Sequence, residues 1–131
     1  MSDEVRKKTF LKPFVFICLS LVIATIAVAS VVLNPPSPPR NLKVEKIAST
    51  SCTISYQAPE DDGGTPILSY EIECFDNNSF RWKSKGVSHG LTHDIVGMTP
   101  GSQALIRVTA SNRVGKSAPV VTEKEITFPR E

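Results

Sequence analysis

Residues 14–33, which open on Phe14 and close on Leu33, run for twenty positions without a formally charged side chain (FVFICLSLVIATIAVASVVL). As a helix rising 1.5 Å per residue, the run would measure roughly 30 Å, the depth of a bilayer's hydrocarbon core. It shows no amphipathic stripe, so a helix packed on one side of a soluble core describes it poorly. Lys12 and the cluster Arg6-Lys7-Lys8 precede it, and Asn34-Pro35-Pro36 ends it, because proline cannot continue a helix. Two readings stay open. As a transmembrane signal-anchor, the run makes a single-pass membrane protein. The basic tail 1–13 then remains cytoplasmic by the positive-inside rule, and everything after Leu33 is extracellular or lumenal. As a signal peptide, the small-x-small site Ala27-Val28-Ala29 is cleaved after residue 29 and the rest is secreted. In both cases the remaining residues have room for one small domain.

Charge separates the same two parts. The whole chain carries +2, yet from Asn34 onward eleven Lys/Arg balance eleven Asp/Glu, so the excess belongs to the tail. A neutral domain lacks the basic face that displaces phosphate counterions, and no nucleic-acid partner is expected.

Residues 34–39 (NPPSPP) read as a stiff, extended Pro-rich linker holding the domain off the membrane. Pro35, Pro38 and Arg40 also fit a P-x-x-P-x-R docking pattern, but its readers are cytosolic. From residue 40 to 129 the sequence alternates in short runs broken by turn residues. Asn41 to Glu45 is the first run. Cys52, Ile54 and Tyr56 share one face of the next, and Tyr70, Ile72 and Cys74 one face of the third. Phe80 to Ser84 makes a short edge strand, and Ile95 and Met98 bracket another. Ala104, Ile106, Val108 and Ala110 line a longer strand, and residues 120–128 close the sheet. No amphipathic helix occurs after Leu33. Seven short strands predict an all-β, antiparallel, immunoglobulin-like β-sandwich behind one hydrophobic helix.

Several ordered motifs sharpen this. Pro38-Pro39-Arg40-Asn41-Leu42 opens the domain. Ala58-Pro59 leads to Asp62-Gly63-Gly64-Thr65-Pro66-Ile67 and Tyr70-Glu71-Ile72-Glu73. Met98-Thr99-Pro100-Gly101, Arg107-Val108-Thr109-Ala110-Ser111-Asn112 and Gly115-Lys116-Ser117 come next, in that order. Together they resemble a fibronectin type III domain, of the kind found in muscle giant proteins and neural adhesion receptors, over about three quarters of the chain. Two departures stand out. Tyr56 takes the place of the family's core tryptophan, and Ala104 that of its buried tyrosine. Uncompensated losses of this size cost roughly 3–5 kcal/mol, so a sandwich of modest stability is expected, with Trp82 or Tyr70 filling part of the space.

The resemblance implies a non-enzymatic protein-binding or adhesion module; a structural spacer without a dedicated ligand is the alternative. By position, Glu60, Asp61 and Asp62 in one loop and Arg113, Val114 and Lys116 in another are the candidate partner-binding residues. Cys52 and Cys74 point inward from opposite sheets. An inter-sheet disulfide would need Cα atoms about 6 Å apart where sheets pack near 10 Å, so two buried thiols stand as the other reading. Asn77-Asn78-Ser79 is an N-glycosylation sequon with Asn77 as acceptor. His89 and His93 lie on loop and strand rather than one helix face, and Asp61-Asp62-Gly63-Gly64 lacks spaced calcium ligands, so no metal is expected. Gly115-Lys116-Ser117 lacks the glycine of a phosphate-binding loop, and no Arg-Gly-Asp occurs. No nucleophile–base set can be named, so no catalytic residue, cofactor or small-molecule substrate is expected.

Overall fold

The structure, a computed structural model, describes residues 31–131. The expected membrane run and the basic tail lie outside the described residues, apart from residues 31–33. Residues 31–39 form neither helix nor strand, so the expected helix does not extend to Leu33. Among the described residues no helix is long and apolar enough to cross a membrane. Leu33–Glu131 forms one compact unit.

That unit is all-β. Its strands are β1 (Arg40–Ile47), β2 (Cys52–Gln57), β3 (Ser69–Asp76), β4 (Arg81–Ser88), β5 (Thr92–Ile95), β6 (Gln103–Ala104), β7 (Ile106–Ser111), β8 (Val120–Val121) and β9 (Ile126–Thr127). One sheet runs β1-β2-β5, a second runs β4-β3-β7-β8, and β6 pairs with β9. Every pairing is antiparallel. Two of the seven expected strands are each broken in two. Leu105 separates β6 from β7, and the closing strand divides into β8, which pairs with β7, and β9, which pairs with β6.

Alternation builds the core. Cys52, Ile54 and Tyr56 of β2 face Tyr70, Ile72 and Cys74 of β3 and Ile106, Val108 and Ala110 of β7, all buried, with Ile95 and Phe128 completing the layer. A two-residue period puts such side chains on one face, where burial stabilises each by about 1.5–3 kcal/mol. Tyr56 makes up for part of the missing tryptophan. Its ring lies 4.8 Å from that of Tyr70, and its hydroxyl donates to the Gly90 carbonyl at 2.8 Å. Trp82 does not fill the core. It pairs in register with Phe75, whose side chain points away from the one carrying Cys74, so it stands on the outer face. There its ring meets Phe75 edge-on at 5.4 Å and lies under the Arg107 guanidinium at 4.2 Å, while Arg107 also binds Glu73 at 2.9 Å.

β4 is an edge strand, as expected, but runs on to Ser88 past a register shift opposite Glu71 and Glu73. Gly86 sits there at φ +114°, and a Cβ on it would come within 2.9 Å of His93 Nε2. The imidazole instead reaches across from β5 to hydrogen-bond the Lys85 carbonyl at 2.8 Å.

Candidate functional site

Antiparallel connectivity sorts the loops into two poles. The β2–β3 loop and the β7–β8 loop share the pole where the chain enters at Asn34. The β3–β4 turn and the β5–β6 loop share the other.

At the entry pole, the Pro-rich segment is drawn into the domain instead of standing off as a spacer. Pro36 and Pro39 are buried. The Asn34 amide donates to the Gly63 carbonyl at 2.9 Å and that of Ser37 to the Asp61 carbonyl at 2.9 Å, while the Ser37 hydroxyl accepts from the Asp61 amide. Unpaired peptide groups of an extended segment and of a polar loop thus satisfy each other. Pro35, Pro38 and Arg40, which carry the P-x-x-P-x-R pattern, stay exposed, with the Arg40 Nε donating to the Ala58 carbonyl at 3.0 Å. Gly63 allows the approach: at φ +82° its missing Cβ would sit 1.9 Å from the Asn34 carbonyl oxygen. Asn112, buried, locks the two loops to the segment. Its Nδ2 donates to the carbonyls of Asn34 and Asp62, each at 2.8 Å, and its Oδ1 accepts from the amides of Val114 and Gly115.

This arrangement decides which expected partner-binding residues are available. All six are exposed. The carboxylates of Asp61 and Asp62 each accept the amide two residues on, from Gly63 and Gly64, so they shape their own turn. Lys116 pairs with Glu71 at 2.9 Å. Among the described residues the side chains of Glu60 and Arg113 have no hydrogen-bond or ion-pair partner, and Val114 is 44% exposed. The histidines are structural and apart: His89 Nδ1 bonds the Leu68 carbonyl, and His93 the Lys85 carbonyl. Among the described residues no three His, Cys, Asp or Glu side chains gather as metal ligands.

The opposite pole carries features that a sequence reading passes over. The β3–β4 hairpin turns through residues 77–80. Asp76 organises it, accepting from the Ser79 hydroxyl and the Asn78 amide and pairing with Lys83 at 2.9 Å. Lys83 foremost, then the Ser79 hydroxyl and the Asn78 amide, hold the Asp76 carboxyl well below the usual carboxylate range. This contribution is therefore present at neutral pH and is lost only as pH falls through that depressed value. Asn77 is exposed on the turn. Beside it Phe80 adopts φ +53° and is 78% exposed. That left-handed geometry costs a side-chain-bearing residue about 1–2 kcal/mol. Phe80→Gly is expected to raise the unfolding free energy by about 0.5–1 kcal/mol, once glycine's greater freedom in the unfolded chain is subtracted. A urea titration showing a loss instead would mean that the ring packs where the structure leaves it bare.

Between this turn and the β5–β6 loop lies an open cleft of about 820 Å³, lined among others by Cys74, Met98, Ala104, Lys83 and Lys85. Ala104, 1% exposed, is on its floor.

Cys52 and Cys74 are free and buried, not bridged. Burial, with Asp94 adding to it, pushes the Cys52 thiol up to about 11. Burial and the nearby Cys52 push Cys74 up to about 11 against an opposing pull from Lys85. Folded values above the unfolded ones favour the native state below pH 9.0, and the advantage is lost as pH rises toward about 11. At neutral pH the native thiolate is about a hundredfold scarcer than for an ordinary thiol. Iodoacetamide is therefore expected to spare both residues in the folded chain and to label both in denaturant. Native-state labelling at either, mapped by mass spectrometry, would contradict the buried placement.

The model of the fibronectin type III domain matches residues 37–123. The chain belongs to the fibronectin type III family. Titin of Drosophila melanogaster is 35% identical over 94 residues, which cover 70% of this chain and 0% of titin's length after rounding. Human contactin-3 is 29% identical over 102 residues, covering 73% of this chain and 10% of contactin-3. The chain thus spans a tenth or less of these relatives. Among solved structures, the twitchin kinase region from C. elegans superposes with a TM-score of 0.69 at 29% identity, over 73% of this chain and 17% of that one. A fibronectin type III domain of this kind is a protein-interaction or structural module.

Proposed function

We propose that this chain is a non-enzymatic extracellular protein-binding module, anchored by residues 14–33 or secreted after cleavage at residue 29, whose contacts are made at the pole opposite Asn34. The carrying observation is the occupied entry pole. There Asn34, Ser37 and Asn112 tie down the two loops that position alone would nominate. The other pole offers a cleft, a strained and exposed Phe80, and exposed Val96. Strain that persists at an exposed aromatic residue is a feature of ligand-contacting segments, and aromatic side chains dominate binding energy where partners meet. The uncharged run with its basic flank supports the outward placement.

The test uses the full chain on intact cells, with a photo-crosslinking residue at position 80 or, separately, at position 113. A partner captured from position 80 and not from 113 supports the reading. Capture from 113 alone would move the contact to the entry pole, and silence at both would favour the spacer. Fractionation of the same cells separates the two placements. Retention in membranes after alkaline wash means an anchor, and soluble protein in the medium starting at Ser30 means secretion.

A further inference from the structure

The cleft at the far pole has a definite chemistry. Its floor is made of short side chains, Ala104 at 1% exposure and Cys74 at 3%, and half-buried Met98 forms a wall. Cys74 is a neutral thiol at physiological pH, so the floor carries no charge. A floor of small groups beside an adaptable thioether accommodates a flat ring, and sulfur–aromatic contacts favour one.

Two cations line the cleft, Lys83 and Lys85, two positions apart on β4 and so on the same side of the strand. Among the described residues Asp76 is the one carboxylate in the lining, and it is engaged by Lys83, the Ser79 hydroxyl and the Asn78 amide. Lys85 is half-buried and, among the described residues, joins none of the three ion pairs. Among the described residues the cleft therefore presents one positive charge outside any ion pair, with Ala104, Cys74 and Met98 as the apolar part of a lining that Asn77, Asn78, Thr99, Ser102 and Gln103 otherwise make polar.

We infer that this cleft is a peptide-binding site that takes an aromatic side chain flanked by a carboxylate from a partner protein, with the ring over Ala104 and Met98 and the carboxylate on Lys85. The inference rests on the reading that partners bind at this pole, and it names what they bring. Lys85 supplies the electrostatic choice between acidic and basic segments, and the floor supplies the choice of a ring.

The experiment is an amide-shift titration of the full chain in detergent micelles with a blocked tripeptide, Glu-Tyr-Glu. Glu-Ala-Glu and Lys-Tyr-Lys serve as controls. The expected result is saturable shifts at Cys74, Met98 and Ala104, with both controls weaker by about tenfold or more, the ratio that losing one charge-assisted bond or one buried ring produces. Lys85→Gln should weaken Glu-Tyr-Glu by about tenfold. Ala104→Tyr should abolish binding by filling the floor without lowering the thermal midpoint. If that variant fails to fold, Ala104→Leu serves the same purpose. An equal response to Glu-Ala-Glu, shifts confined to Arg113 and its neighbours, or no shift at all would overturn the inference. These outcomes sink the cleft alone, whereas crosslinking from position 113 only would sink the wider reading whatever the peptide does.

Discussion

Asn112→Ala is expected to lower the unfolding free energy by about 2–4 kcal/mol and to release the entry segment from the domain. The side chain is 5% exposed and makes four hydrogen bonds, two given and two accepted. Each is worth about 0.5–1.5 kcal/mol net, and partners left buried and unpaired cost more. Water at this exposed pole can replace some of them, which holds the total below the simple sum. Against a typical domain stability of about 5–15 kcal/mol, that is a large fraction. Urea denaturation measures the loss, and limited proteolysis near Ser37 reads the release of the segment. Asn112→Asp separates the two halves of the lock. It keeps the oxygen that accepts from Val114 and Gly115 but has no amide to donate to Asn34 and Asp62, so it should free the segment at a smaller cost in stability. If alanine changes neither the denaturation midpoint nor the cleavage rate, the lock does not hold the segment.

Much of the fold was legible in the sequence because the core obeys one simple rule. The faces assigned to Cys52-Ile54-Tyr56, Tyr70-Ile72-Cys74 and Ile106-Val108-Ala110 are the buried ones, since a two-residue period leaves no other choice once the strand is recognised. What escaped depended on contacts between distant segments. A Pro-rich stretch reads as extended whether it stands free or docks, and only Asn112 and Gly63, far along the chain, decide that Asn34 docks. The break at Leu105 is a change of pairing partner, from β9 for β6 to β8 for β7, and the one at Gly86 is a register shift; alternation alone reveals neither. Counting from Phe75 across the hairpin would place Trp82 on the outer face, but a short edge run does not by itself disclose the partner that such a count needs. Alternation aims both cysteines inward, yet direction does not bring sulfur to sulfur across two sheets. The cleft was invisible because its walls come from the β3–β4 turn, β4 and the β5–β6 loop, with only the alanine at 104 hinting at space.

Phe128→Ala should be the most costly single truncation in the domain, at about 3–5 kcal/mol. Phe128 is fully buried and is the largest of the fully buried side chains, although it lies beyond the last strand and beyond the matched residues 37–123. Its backbone exchanges two bonds with the β5–β6 loop: its amide donates to the Ser102 carbonyl at 2.9 Å, and its carbonyl accepts from the Gly101 amide at 2.8 Å. These bonds survive in the alanine variant, so the expected loss comes from the ring and the cavity it leaves. Urea denaturation should show a lower midpoint with an unchanged slope. The position also matters for the cleft, since Gly101 and Ser102 belong to its lining. Because the Phe128 backbone bonds Gly101 and Ser102, removing its ring should loosen the loop and speed amide exchange at those two residues more than at Asn112, in the β7–β8 loop of the opposite pole. Equal acceleration at both poles would mean that the domain opens only as a whole, and that Phe128 supports the sandwich without shaping the cleft wall in particular.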